Sequence, residues 1–139
     1  MIKIRIFLTH ILTILLIFTL SLPAFAEEIV SLRPEIPEQD IKYTVEEEQE
    51  YINFIKNRIK TLKESGMNPD IFENLTIEIY PARSIPFKYN TGNLETYFAK
   101  GLTKNHNTIT IAVGTGENTF FHELGHIIER RFFDAYGYN

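Results

Sequence analysis

One stretch near the C-terminus constrains the fold more than any other: Thr119-Phe120-Phe121-His122-Glu123-Leu124-Gly125-His126-Ile127-Ile128. Residues four apart on an α-helix lie one above the other, so His122 and His126 present two imidazoles from one face. Phe120, Phe121, Leu124, Ile127 and Ile128 are apolar, so the helix can be buried with its polar residues concentrated at one place. Two imidazole nitrogens that can meet on one divalent cation point first to Zn2+. Glu123, adjacent to the first histidine, is within reach of a water at such an ion and is the candidate general base. The competing reading is a buried helix whose histidines only bond to backbone. It is disfavoured because two histidines and a carboxylate on a buried face would each need a partner.

Residues 1–26 carry the marks of a secretory signal peptide. Lys3 and Arg5 form a positive start, Ile6 to Leu20 an apolar stretch, and Ala24-Phe25-Ala26 a small-residue cleavage site after Pro23. The apolar stretch is short for a membrane span and lacks a basic stop-transfer flank, so the expectation is a secreted, extracellular protein with no stable membrane association after cleavage; the rival is an uncleaved N-terminal anchor. The chain has no cysteine. That rules out disulfides, a lipid-modified cysteine and thiolate zinc ribbons, and leaves the core, with metal as a possible addition, to hold the fold. Without Lys3 and Arg5 the chain has twelve basic against eighteen acidic residues, a net of about −6. An acidic balance without basic clusters argues against a nucleic-acid partner.

Three segments are expected: the signal peptide 1–26, an extended or disordered leader 27–43 containing Pro34 and Pro37, and one folded domain 44–139. The domain opens with a helix over 45–64. Thr44 and Glu47 form a capping box, Glu46–Glu48 suit the positive end of the helix dipole, and Ile52, Ile55, Ile59 and Leu62 make one apolar stripe. Asn68-Pro69-Asp70 starts a further short helical turn. Leu75–Tyr80, Thr96–Leu102 and Thr108–Val113 read as strands, the second weakened by Gly101, the last two as a hairpin. Pro81 and Pro86 bracket a loop, and Asn90-Thr91-Gly92-Asn93 reads as a turn. Gly114-Thr115-Gly116 is a strand-to-helix hinge, with Asn118 as the expected N-cap of the histidine helix.

A helix, a few strands, then the run N-T-I-T-I-A-V-G-T-G-E-N-T-F-F-H-E-L-G-H-I-I over Asn107–Ile128 resembles the zincin metallopeptidases. The flanks of H-E-L-G-H fit the longer zincin pattern throughout, and the order of elements is most similar to the gluzincin-type catalytic domains related to anthrax lethal factor, including small secreted Pro-Pro endopeptidases. The resemblance implies an α+β, zincin-like fold: a small mixed or antiparallel sheet packed on an N-terminal helix and the H-E-x-x-H helix. It implies a secreted zinc metalloendopeptidase acting on protein or peptide substrates, with His122 and His126 as ligands and Glu123 as general base.

The family also takes a third ligand, usually a glutamate, from a second helix downstream, often with an oxyanion-stabilising tyrosine. Here Asn139 follows His126 by thirteen residues, and the expected reading is a domain incomplete at its C-terminus. The extended triple-histidine pattern fails as well, with Glu129 and Phe132 at the positions it requires as glycine and histidine. Local candidates for the third ligand are Glu129, three residues past His126, and Asp134. Glu129 is otherwise a surface acid paired with Arg130 or Arg131; Tyr136 and Tyr138 are candidate oxyanion donors. The alternative function is a degenerate or truncated, inactive zincin that acts only as a metal-binding or interaction domain.

Overall fold

The computed structural model describes residues 27–88 and 95–137. The expected signal peptide, the turn at 90–93, Tyr138 and the side chain of Tyr136 lie outside the described residues. Six strands and two long helices follow in the order β1 (Glu28–Ser31), α1 (Val45–Glu64), β2 (Thr76–Tyr80), β3 (Ile85–Phe87), β4 (Tyr97–Ala99), β5 (Gly101–Thr103), β6 (Thr108–Ala112) and α2 (Glu117–Tyr136), with short 3₁₀ turns between. The coarse expectation of an α+β chain holds. No helix among the described residues is long and apolar enough to cross a membrane.

Helix α1 forms where its caps and periodicity place it. Thr44 accepts from the Glu47 amide while the Glu47 carboxylate accepts from the Thr44 amide, satisfying two donors that the first turn leaves open. Its stripe buries Tyr51, Ile55 and Ile59. The short turn Pro69–Phe72 is capped by Asn68, whose side chain accepts from the Asp70 amide.

Strands β1, β2 and β6 run parallel, and β5 closes the sheet antiparallel to β6, in the order β1-β2-β6-β5. Alternation along β2 and β6 sends Ile77, Ile79, Ile109 and Ile111 to one face, where all four are fully buried. Tyr51, Ile55 and Ile59 of α1 and Phe120, Leu124 and Ile127 of α2 complete the same core. Each fully buried side chain of this kind contributes about 1.5–3 kcal/mol. Across the sheet Glu78, Thr110 and Lys104 form a polar cluster: Thr110 donates to Glu78 Oε2 at 2.6 Å and Lys104 ion-pairs with the same oxygen.

Four expectations are corrected. Residues 27–43, expected as an extended or disordered leader, contain β1, which is zipped onto β2 from Glu28↔Thr76 to Ser31↔Ile79. Arg33 then ion-pairs with buried Glu48 at 2.6 Å, anchoring the segment to α1. The strand expected over Thr96–Leu102 is two. It breaks at Lys100, so that β4 pairs with β3 and β5 pairs with β6. The loop expected between Pro81 and Pro86 ends in β3; Pro86 is tolerated because this strand belongs to a two-stranded ribbon, where a missing donor breaks no central ladder. Helix α2 begins at Glu117 with Gly116 as its N-cap, not Asn118. The left-handed Gly114 (φ +75°) turns the chain sharply after β6, its α-carbon facing the Tyr43 hydroxyl, and the helix starts two residues earlier than expected.

Candidate metal centre

Register determines what faces α2. Gly101 pairs with Ile111 and Thr103 with Ile109, so both β5 residues lie on the helix-bearing face of the sheet. Phe120, Leu124 and Ile127 pin α2 to this face. Glu123 is carried inward with them and is only 7% exposed, while His122 is exposed and His126 half-exposed.

The two histidines meet as the four-residue spacing requires. Their rings stand edge to face with centroids 4.7 Å apart, and the two Nε2 atoms are 3.1 Å from each other. Two nitrogens bound at about 2.0–2.1 Å to one tetrahedral zinc stand about 3.3 Å apart. The pair therefore already has close to the spacing of two ligands of one ion, with solvent access on the same side.

Glu123 sits in the layer between α2 and β5. Thr103 donates its hydroxyl to Glu123 Oε2 at 2.7 Å and lies 3.1 Å from the Glu123 carbonyl oxygen. The Glu123 side chain also fills the space that a side chain at Gly101 would need: a β-carbon there would stand 2.7 Å from Glu123 Cγ and 2.9 Å from Oε1. Arg130 donates to the carbonyl oxygens of Thr103 (3.3 Å) and Asn105 (3.0 Å), fastening the end of β5 to α2.

The remaining candidates lie elsewhere. Glu129 Oε2 is 3.7 Å from His126 Nδ1, the ring nitrogen turned away from the His122 contact. At that distance the two groups approach without a hydrogen bond. Asp134 is eight residues beyond His126, about 12 Å along the helix, and its carboxylate pairs with His106 Nδ1. Arg130 and Arg131, expected as partners of Glu129, bond instead to carbonyl oxygens of the 70–73 turn and the β5–β6 connection. Among the described residues, no group of three or more His, Cys, Asp or Glu side chains is arranged to hold one metal ion.

Gly101 and Thr103 were not candidates from the sequence. The available signal was the glycine inside a strand pattern, which marks close approach of another group as often as it marks weakness. No family model, curated protein or solved structure matches the chain.

The fit to zinc is that of a preformed pair. His122 and His126 have the spacing and exposure for two imidazole ligands, and Glu123 stands on the same helix with its carboxylate fixed. The described residues supply two candidate ligands and a candidate base.

Proposed function

We propose that this chain is a secreted zinc-dependent metalloendopeptidase with a zincin-like fold, of the gluzincin type related to the lethal factor domain. The observation that carries the reading is the 3.1 Å approach of the His122 and His126 Nε2 atoms, one residue from a carboxylate held in place against β5. When bound, zinc supplies Lewis acidity toward a carbonyl and lowers the pKa of water.

The chain's own groups supply the rest. His122 and His126 would hold the ion. Thr103 occupies Glu123 Oε2, leaving Oε1 to accept a proton from the attacking water. Glu123 then returns that proton to the amide nitrogen as the C–N bond breaks. A peptide can lie extended along β5, the outer strand beside α2, adding its backbone to the sheet edge.

The test is hydrolysis of a library of internally quenched peptides by the zinc-loaded protein. Glu123→Gln should lower turnover by at least about a thousandfold, in the range seen when a general base is removed together with its charge, while zinc content stays unchanged. Retained turnover in this variant would contradict the assignment.

A second reading is favoured by one observation, the absence of a third ligand among the described residues. Under it the domain binds zinc weakly through the histidine pair and hydrolyses nothing. The wild-type protein distinguishes the two, since this reading predicts no cleavage of any library peptide.

A further inference from the structure

We infer that β5 is the positioning element for the Glu123 carboxylate, with Thr103 as the group that holds it and Gly101 as the residue that leaves room for it. The inference rests on the proposed role of Glu123 in proton transfer and adds two residues to it.

The geometry is specific at both ends of the strand. Glu123 is 7% exposed, and its Oε2 accepts the Thr103 hydroxyl at 2.7 Å, a short contact of the kind made to a charged acceptor. Two residues earlier, on the same face of β5, a β-carbon at Gly101 would stand 2.7 Å from Glu123 Cγ, 2.9 Å from Oε1 and 2.9 Å from Thr119 Cγ2. Gly101 has no left-handed backbone requirement, so the space itself accounts for the glycine. The atoms it accommodates belong mainly to a side chain with rotatable bonds. A methyl group there must displace Glu123 from its Cγ outward and also press on the stiff, β-branched Thr119 of α2, so it moves the carboxylate and strains the packing of α2 on β5 together. One strand thus sets both the bound oxygen and the side-chain path of the proposed base.

Neither residue is a zinc ligand or a proton-transfer group, so their substitution should separate positioning from binding. The experiment compares Thr103→Val, Thr103→Ser and Gly101→Ala with the wild-type protein on the best-cleaved quenched peptide, with zinc content and thermal midpoint measured alongside. Losing a hydrogen bond to a charged group should lower kcat about 10- to 100-fold in Thr103→Val. KM and zinc content should remain near wild type, and Thr103→Ser should restore most of the loss. Gly101→Ala should lose kcat to at least a similar degree and also lower the thermal midpoint, because Thr119 of α2 must give as well as Glu123.

Wild-type kcat in Thr103→Val, or a loss that serine does not rescue, would overturn the inference. If the wild-type protein cleaves no peptide, the peptidase reading fails and a second measurement decides the positioning claim. In protein stripped of metal by a chelator, a thermal-unfolding cycle of Thr103→Val and Glu123→Ala should be non-additive, the double variant losing no more than the worse single one. Additive losses would overturn the contact between them.

Discussion

Arg131 shows how much a single side chain fixes in this structure. Its guanidinium donates to the carbonyl oxygens of Asp70, Ile71, Glu73 and His106 and to the Asn107 side-chain oxygen, all at 2.8–3.1 Å. It thereby ties the second half of α2 to the 70–73 turn and to the start of β6. Arg131→Met keeps the stem but removes these bonds, those to the part-buried Ile71 and Glu73 oxygens mattering most, and should cost about 1–3 kcal/mol, read as a lower urea midpoint at unchanged slope. Glu78 gives a pH signature. Burial works to raise its carboxyl, but hydrogen bonds from Lys104 and Thr110 and the Lys104 charge prevail and hold it below the ordinary glutamate value of 4.5. Because the folded value is the lower one, its contribution is full above about pH 5 and is lost as the pH falls through the folded value. Glu78→Gln should flatten the decline of the thermal midpoint on the acid side and leave its slope near neutrality unchanged. At this scale the approach of His122 to His126 was legible because i, i+4 geometry is local to one helix. Thr103 and Gly101 were not, since only the pairing of β5 with β6 brings them to Glu123.

At the scale of elements, whatever is encoded by neighbours in sequence was readable. Helix α1 begins and ends as Thr44, Glu47 and its isoleucine stripe dictate, and β2 and β6 follow their alternation. Pairing was not readable to the same degree. A period of two defines which face a residue takes but not which strand lies beside it or in which direction, and the parallel set β1, β2, β6 is created by connections that include α1. The four residues of β1 are too few to show a pattern, so they read as a leader. Their place in the sheet predicts that the Glu28 and Leu32 amides, bonded to the Leu75 and Ile79 carbonyl oxygens at 2.8 and 3.0 Å, exchange slowly with deuterated water. Exchange at the rate of an unstructured peptide would show that the segment is a free leader after all.

At the scale of the molecule, one sheet face carries both helices, and His122 and His126 lie on the side of α2 that is open to solvent. That arrangement produces the candidate centre: apolar residues of α2 face the core, the two imidazoles meet on its solvent side, and the Glu123 carboxylate packs against β5. The α+β character was evident from the order of helix and strand patterns, whereas the candidate ligands were legible only as far as one helix could supply them. Glu129 turns to the far nitrogen of His126 and Asp134 to His106, contacts that depend on side-chain direction and on a distant turn. The most direct test of the account is the zinc content of the purified protein after incubation with zinc and gel filtration, beside His126→Ala. The account predicts close to stoichiometric zinc in the wild-type protein and its loss in the variant, with both folded. A folded wild-type protein that retains no zinc, or a variant that retains as much as wild type, would contradict it.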